Sequence, residues 1–359
     1  LVKSQNIGIL VGDRLVQTKT PFIPIKLAEL LGAKVYSSNY SEMIFPNKHP
    51  NYINNLKLGF NSSDEFEEFD TVLAVGGLPR VSYMFSNPKM RIFNPESNLI
   101  HIDNDPAQVG TTEKTDIGIL ADPSVALNKL TAKVEELLTG NQLEYFSAKN
   151  HELKKEKENL EIKNQKELNE DYGKNPMSPD RMISEITNAI PKDTIIVNDA
   201  VTTSNSIFKF MNFEKENSIF GGRGGSLGWG MGGALGVKLA FPDRHVVALV
   251  GDGTGMMSVQ ALWTASINQI PITYIMCNNS TYRILKLNMD IYKDQLNSEK
   301  NSKYLGMDFD QKFDFETIAK SFNINSYSIS DPEKINSVLK ECINSNKPNL
   351  IDIHIDGAI

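Results

Sequence analysis

Residues 246–254 read Val-Val-Ala-Leu-Val-Gly-Asp-Gly-Thr, an apolar run that ends in a carboxylate flanked by two glycines. Such a run is typical of a buried β-strand, and Asp252 then lies at its carboxyl end, where open α/β sheets bind ligands. Gly251 and Gly253 carry no side-chain bulk, so backbone amides can approach an anion there. Residues 258–263 have helical spacing, and the positive end of that helix would point back at the loop. The stretch predicts an anion cradle beside a ligand for a hard metal ion.

A second apolar run, residues 272–277, ends in Asn278-Asn279-Ser280-Thr281. Asn279 follows Asp252 by 27 residues, which is enough for one strand–helix–strand crossover, so both side chains can emerge at one sheet edge. Asp and Asn oxygens, a backbone carbonyl and two diphosphate oxygens suit octahedral Mg²⁺. Taken alone, Gly-Asp-Gly fits a surface turn and Asn-Asn fits a helix cap. Their spacing favours a magnesium–diphosphate site.

The rest of the chain alternates apolar runs with amphipathic segments. The runs lie at 7–11, 23–31, 72–75, 99–102, 117–120, 194–197 and 350–355. Strands buried on both faces and separated by helical patterns indicate βαβ units and a parallel sheet. We therefore expect an α/β protein with two doubly wound parallel-sheet domains at 1–145 and 178–359. A charged linker at 146–177 with one exposed helix would join them, and Ser178-Pro179 would open the helix that follows.

Composition excludes several classes of protein. The 359 residues carry a net charge of −7, so no basic field is available for nucleic acid. No stretch approaches the roughly 20 apolar residues that span a bilayer. The two cysteines lack neighbours at metal-ligand spacing, which argues against a zinc site and a disulfide framework and fits a cytoplasmic protein. The chain begins Leu1-Val2-Lys3, without a methionine or a signal peptide, so it is interpreted as a fragment.

The segment Gly251-Asp252-Gly253 followed by Asn278-Asn279 resembles the thiamine-diphosphate signature shared by pyruvate decarboxylase, acetolactate synthase and benzoylformate decarboxylase. Residues 261–265, 278–282 and 45–50 are similar to benzoylformate decarboxylase in particular. The resemblance covers essentially the whole chain. It implies a central, Rossmann-like domain followed by the thiamine-diphosphate-binding domain.

On this resemblance, Asp252, Asn279 and the backbone oxygen of Thr281 would bind Mg²⁺. The diphosphate would be lined by Gly251, Gly253, Thr254 and Tyr282. The Gly225 carbonyl would accept from the aminopyrimidine, and Leu227 would be the apolar prop that bends the cofactor. The hydroxyls of Thr202 and Thr203 follow another buried strand and are placed to donate to phosphate, although a capped helix N-terminus explains them equally well.

Other patterns carry weaker alternatives. Gly228, Gly230 and Gly233 formally satisfy the dinucleotide fingerprint G-x-G-x-x-G, but no long apolar strand precedes them. No feature of the first domain requires a flavin. Tyr83 is the residue nearest the place of the catalytic histidine of benzoylformate decarboxylase, and this departure leaves the substrate open. Arg283 and Lys286 would suit a substrate with a second carboxylate, or they are solvated helix charges.

The resemblance implies a thiamine-diphosphate- and Mg²⁺-dependent lyase that decarboxylates or carboligates a 2-oxo acid and works as a homodimer or homotetramer. In this family the glutamate that activates the cofactor comes from an N-terminal pyrimidine-binding domain, which residues 1–359 are expected to lack. The chain alone is therefore expected to be inactive. The alternative is a non-catalytic remnant or a binding or regulatory protein. Retention of Asp252, Asn279, Thr281 and Leu227 together counts against that alternative.

Overall fold

The computed structural model describes residues 1–18, 22–38, 42–55, 66–78, 93–297 and 304–359. The chain divides into two compact units. Unit 1 comprises Leu1–Ile162 with Asn212–Asn217, and unit 2 comprises Lys163–Met211 with Ser218–Ile359. Among the described residues, no helix is both long and apolar enough to cross a membrane.

Unit 1 contains a six-stranded parallel sheet. Its strands are β1 (Ile7–Val11), β2 (Lys34–Ser37), β3 (Tyr52–Asn55), β4 (Thr71–Val75), β5 (Asn98–Asp103) and β6 (Ile117–Leu120), in the order β3-β2-β1-β4-β5-β6. Its helices are α1 (Arg14–Gln17), α2 (Ile23–Leu30) and α3 (Pro123–Leu137). The strand order reverses direction between β1 and β4, as in a doubly wound fold. The α/β class expected from the sequence is confirmed.

Two apolar runs of unit 1 differ from the expected buried strands. The run at 23–31 forms helix α2 (Ile23–Leu30) and its C-cap residue Leu31, and the buried Leu27 and Ala28 of the helix face the core. Residues 117–120 do form a strand, but Ile117 is 53% exposed because β6 is the edge of the sheet. Strands β2 and β3 are short and carry polar residues, so no apolar run marks them in the sequence.

The charged segment between the two sheets is one long helix, α4 (Gly140–Glu170). Most of its residues are exposed, but Phe146 and Leu153 are buried. The Lys157 ammonium donates to the carbonyls of Asn47 and Tyr52, at 2.9 Å each. The amino-terminal part of α4 is therefore packed onto unit 1 rather than solvated on all sides.

Unit 2 contains a second six-stranded parallel sheet, in the order β11-β12-β10-β9-β7-β8. Its strands are β7 (Ile195–Asp199), β8 (Ile219–Gly221), β9 (Val246–Gly251), β10 (Thr273–Asn278), β11 (Asn325–Ile329) and β12 (Asn349–His354). Its helices are α5 (Pro179–Ala189), α6 (Ser204–Phe210), α7 (Gly230–Ala240), α8 (Asp252–Met256), α9 (Ala261–Ile267), α10 (Arg283–Gln295), α11 (Phe315–Ser321) and α12 (Ile335–Asn344). The four apolar runs of the sequence become β7, β9, β10 and β12, the interior strands, because burial on both faces requires continuous apolarity.

Helix α5 begins where the sequence predicts. The Ser178 hydroxyl accepts a hydrogen bond from the Arg181 amide at 3.2 Å, and Pro179 occupies the first helical position. Proline has no amide to leave unsatisfied there, so the two residues together define the start of the helix.

Two isoleucines of unit 2 allow a matched test of its core. Ile275 lies in β10 with no exposed surface, whereas Ile267 ends α9 and is 57% exposed. We expect Ile275→Ala to lower the free energy of unfolding by about 2–5 kcal/mol, because it removes buried methyl groups and leaves a cavity. Ile267→Ala should change it by roughly 0.5 kcal/mol or less. Urea denaturation followed by circular dichroism measures both, and equal effects would contradict the assigned core.

Candidate functional site

Three neighbouring strands of unit 2 bring polar residues to one sheet edge. β9 lies between β7 and β10, with Asp199 opposite Val250 and Gly251 opposite Cys277. Because all three strands are parallel, their carboxyl ends meet at the same edge. The loops that follow them contain every site residue that the sequence predicts in the second domain, apart from the glycine-rich run after β8.

Asp252 is a buried carboxylate and the first residue of α8. Only 4% of its surface is exposed, and its two oxygens accept hydrogen bonds from the amides of Gly253 (2.8 Å) and Ser280 (2.7 Å). Burial raises the pKa of Asp252 to about 6, against these amides, which lower it. Among the residues that the structure describes, no Lys, Arg or His forms an ion pair with it. The site therefore contains a carboxylate without a compensating cation.

The loop after β10 meets Asp252 from the neighbouring strand. Ser280 adopts the left-handed conformation (φ 55°), and its amide reaches both Asp252 and the Asn278 side-chain oxygen, the latter at 3.2 Å. The Asn279 side-chain oxygen accepts from the Thr281 amide at 3.1 Å. The Asn278 amide group donates to the buried carboxylate of Asp352, at 3.0 Å. Asp252 and the loop that contains Asn279 and Thr281 are thus adjacent.

Residues 304–309, named here the strap, run alongside this loop. The Met307 carbonyl accepts from the Thr281 hydroxyl (2.7 Å) and from the Tyr282 amide (2.8 Å). The Phe309 amide donates to the Ser280 carbonyl at 3.1 Å, and the Phe309 ring meets the Tyr282 ring edge to face, with centroids 4.7 Å apart. The strap therefore fixes the backbone of the candidate metal loop. No sequence pattern indicates it.

Some predicted phosphate contacts already have partners within the chain. The Thr254 hydroxyl lies within hydrogen-bond distance of the carbonyls of Asp199 (2.8 Å) and Gly251 (3.0 Å), between which its single hydrogen is shared. Thr203 is buried, and its hydroxyl lies beside the Cys277 thiol, while Thr202 is half-buried. The hydroxyl of Thr254 therefore joins the loops after β7 and β9 to each other.

The helix expected at residues 258–263 differs in detail. Helix α8 starts directly at Asp252 with Gly251 as its cap residue, and α9 starts only at Ala261. A cradle built on the loop would use the amides of α8. The ring of Tyr282 covers this place, since a Cβ at Gly253 would stand 2.7 Å from its Cε1.

Residues 222–229, named here the glycine loop, connect β8 to α7. Gly225 and Gly228 have positive φ, 74° and 81°, which explains glycine at both positions. Leu227 is 50% exposed, as a side chain that contacts a ligand would be. The formal G-x-G-x-x-G pattern falls here, but the Asp199 carboxylate already accepts the Gly230 amide at the start of α7, at 3.0 Å. A carboxylate already placed at the start of α7 disfavours a dinucleotide phosphate at this helix.

Asp199 is a second buried carboxylate that the sequence does not single out. It is 5% exposed, and burial raises its pKa to about 6, while the amides of Gly230 and Gly228 lower it. Its partners lie about 30 residues further along the chain, so no local motif reveals them. The signal available in the sequence is only its place at the end of a buried strand.

The sequence also offers Tyr83, Arg283 and Lys286 as candidate substrate-contacting residues. Tyr83 lies outside the described residues. The Arg283 side chain donates to the Ala358 carbonyl at 2.7 Å, and the Lys286 ammonium forms an ion pair with Asp308 of the strap. Both cations are thus engaged within the chain.

The donor set fits one hard cation and a phosphate group. The described residues contain no cluster of three or more His, Cys, Asp or Glu side chains, so a site at Asp252 has at most two carboxylates, and Asp352 is the other acid near Asp252. Mg²⁺ is commonly bound by one or two carboxylates plus substrate phosphates. The uncompensated charge of Asp252 beside the side-chain oxygen of Asn279 and the main chain of Thr281 is consistent with that arrangement.

Two family models match the chain. One, described as thiamine pyrophosphate enzyme, C-terminal TPP binding domain, matches residues 199–353, and the other, described as thiamine pyrophosphate enzyme, central domain, matches residues 1–130. The chain belongs to the thiamine pyrophosphate enzyme family. The family expected from the Gly-Asp-Gly and Asn-Asn motifs is confirmed.

Two known members of this family are similar to the chain over different shares of its length. A probable acetolactate synthase large subunit of Methanocaldococcus jannaschii is 29% identical over 100% of this chain and 59% of its own length. A benzoylformate decarboxylase of Pseudomonas aeruginosa is 26% identical over 50% of this chain and 32% of its own length. The chain thus spans about three-fifths of the first of these relatives.

Solved structures share the fold. A thiamine diphosphate-dependent 4-hydroxybenzoylformate decarboxylase of Rhodococcus jostii RHA1 has a TM-score of 0.79 at 22% identity, over 99% of this chain and 62% of that one. Benzoylformate decarboxylase from Polynucleobacter necessarius has a TM-score of 0.79 at 17% identity, over 100% and 63%. At these identities the likeness concerns the architecture: both thiamine pyrophosphate enzyme domains are present in their usual fold.

The raised pKa of Asp199 predicts how the stability of the protein depends on pH. The native state binds more protons than the unfolded state between the ordinary pKa of 3.8 and about 6, so the free energy of unfolding should fall as pH rises through that window. Asp199→Asn should reduce this slope. Asp310→Asn, which removes an exposed carboxylate, should keep it. Urea denaturation at a series of pH values measures the slopes, and equal slopes for the wild type and Asp199→Asn would contradict the buried charge.

Proposed function

We propose that unit 2 binds the Mg²⁺ ion and the diphosphate of thiamine diphosphate in an enzyme that acts on a 2-oxo acid. The observation that carries this proposal is Asp252, a buried carboxylate with no cationic partner in the described chain. A buried charge of this kind is normally paired or bound to a metal. A divalent cation would supply the missing compensation.

In this proposal the metal ligands are Asp252, the side-chain oxygen of Asn279 and the backbone oxygen of Thr281. The hydrogen bond from Thr281 to Met307 supports the role of the carbonyl, because it orients this residue through the strap. The cofactor contacts are those expected from the resemblance: Thr202, Thr203, Gly225, Leu227, Gly251, Gly253, Thr254 and Tyr282. The hydroxyl of Thr254 would act mainly by holding the loop, since its one hydrogen is shared between the carbonyls of Asp199 and Gly251.

When bound, thiamine diphosphate supplies the carbon nucleophile and the electron sink for 2-oxo-acid chemistry. The chain's own contribution is orientation. The exposed Leu227 offers an apolar surface, and the carbonyl of Gly225 offers an acceptor in a backbone conformation that glycine readily adopts. Two outcomes suit this arrangement, decarboxylation to an aldehyde and carboligation, and relatives of both kinds are similar to the chain.

The whole enzyme is proposed to be a cytoplasmic homodimer or homotetramer whose activating glutamate lies outside residues 1–359. The chain spans 59% of the acetolactate synthase relative, so activity and substrate are proposed for the whole protein. Steady release of labelled carbon dioxide from pyruvate or benzoylformate by residues 1–359 alone would show that no outside glutamate is needed. Absence of turnover by the full-length product with every 2-oxo acid tried would favour the non-catalytic alternative.

The metal site is tested by Asp252→Ala in the full-length gene product. We expect its affinity for thiamine diphosphate with Mg²⁺ to fall by more than the roughly 10- to 100-fold cost of removing an outer-shell partner, because only neutral ligands remain. Titration calorimetry measures the affinity. Asp310→Ala is the matched control, since it removes an exposed carboxylate outside the site. Unchanged affinity in Asp252→Ala would refute the site.

A further inference from the structure

The start of α7 lacks a local cap. Trp229 occupies the cap position and its side chain accepts no amide, and the first turn contains no acidic residue. The first amides of a helix have no partner within the helix. The Asp199 carboxylate, at the end of β7, accepts the Gly230 amide at 3.0 Å and also lies within hydrogen-bonding reach of the Gly228 amide. An acid from another strand therefore caps this helix.

Close packing makes the Asp199 contact specific. A Cβ at Gly230 would stand 2.4 Å from the Cβ of Asp199, and one at Gly228 would stand 2.7 Å from the Cβ of Met257. Neither neighbouring atom is the far end of a flexible side chain. The backbone at 228–230 therefore lies directly against β7 on one side and the residues after α8 on the other.

The glycine loop is attached to the sheet through its last residues. The first and last residues of the glycine loop are in close contact. A Cβ atom added at Gly222 would stand only 2.6 Å from the indole nitrogen of Trp229. The hydroxyl of Ser258 donates to the Gly228 carbonyl, which adds a second attachment at the same point. Residues 225–227 project into solvent beyond these attachments. The direction in which Leu227 points therefore depends on how 228–230 is held.

We propose that Asp199 is the positioning residue of the cofactor site, because its carboxylate sets the place of the glycine loop and so of Gly225 and Leu227. This rests on the proposed function, which assigns those two residues to the thiamine ring system. Asp199 also connects the loop to the phosphate side, since its backbone carbonyl accepts the Thr254 hydroxyl at 2.8 Å. The Asp199 side chain positions the residues proposed to contact the thiamine rings. Its main-chain carbonyl is bonded to Thr254, in the loop proposed to bind the diphosphate.

The negative charge is what suits Asp199 to this task. Hydrogen bonds from amides to a carboxylate are stronger than bonds between neutral groups, and an anion at a helix N-terminus is further stabilised by the helix dipole. In the described chain no Lys, Arg or His forms an ion pair with Asp199, so the amides are its main compensation. Asparagine has nearly the same volume, but it offers one acceptor oxygen and no charge.

The position of the loop can be measured without any cofactor. The chain contains two tryptophans, and Trp263 is largely exposed on α9, so Trp263→Phe leaves Trp229 as a reporter inside the glycine loop. In that background Asp199→Asn should shift the Trp229 emission to longer wavelength and increase its quenching by acrylamide. Asp310→Asn should change neither. Unchanged Trp229 emission and quenching in Asp199→Asn would overturn the proposal whatever the ligand results.

The ligand test compares thiamine diphosphate with inorganic diphosphate, both with Mg²⁺, by titration calorimetry of the full-length gene product. Asp199→Asn should lower the affinity for thiamine diphosphate by roughly tenfold or more, because the residues that contact the rings are misplaced. It should leave the affinity for inorganic diphosphate within about twofold of the wild-type value. Equal weakening of both ligands, or of neither, would overturn the positioning role. A wild type that binds neither ligand would instead refute the proposed function.

Ser258→Ala keeps the proposal testable if Asp199→Asn does not fold. It removes only the hydroxyl that holds the Gly228 carbonyl, so it loosens the same attachment while keeping the buried carboxylate. It should lower the affinity for thiamine diphosphate without lowering that for inorganic diphosphate, and it should increase acrylamide quenching of Trp229. Both effects should be smaller than those of Asp199→Asn. A Ser258→Ala protein with unchanged quenching and unchanged affinity would count against control of the ring contacts through 228–230.

Discussion

The pairing of β9 with β7 on one side and β10 on the other is the constraint on which the candidate site depends. Parallel strands in register end at the same edge, so the chain must leave the sheet three times within a short distance. Each exit places a polar residue at the boundary of an apolar core: Asp199, Asp252 and Asn278. The site is therefore a consequence of register, and a shift of one residue in β9 would turn Asp252 to the other face.

Two carboxylates buried at this edge are stabilised in different ways. Taking an ion out of water costs several kcal/mol even after the protein relaxes, so each carboxylate needs partners. Asp199 is compensated by amides at the start of α7 and by the dipole of that helix. Asp252 accepts the amides of Gly253 and Ser280 and lies within reach of the Asn279 amide, all in short, tightly turned segments, and it has no long helix behind it. The helix dipole behind Asp199 suits a structural anchor, and its absence behind Asp252 is compatible with the metal ligand proposed there.

The sequence predicts the parts of this arrangement that are local. Continuous apolar runs identify the interior strands, and the Asp252–Asn279 spacing places two loops at one edge. It does not predict Asp199 as a cap, because α7 starts 31 residues later, nor the strap, whose pairing with Thr281 and Tyr282 is tertiary. It also places β6 in the core, because edge and interior strands of a parallel sheet differ in their neighbours rather than in their own residues.

The ion pair between Lys286 and Asp308 bears on the expectation that Lys286 suits a substrate with a second carboxylate. A substrate with a second carboxylate would have to compete with Asp308 for the ammonium, which is largely buried on the first turn of α10. Displacing Asp308 would also disturb the strap, since the neighbouring Met307 carbonyl accepts from Thr281 and Tyr282. Recognition of a dicarboxylate through Lys286 would therefore loosen the loop proposed to bind the metal. The contacts make Lys286 part of the scaffold that holds that loop.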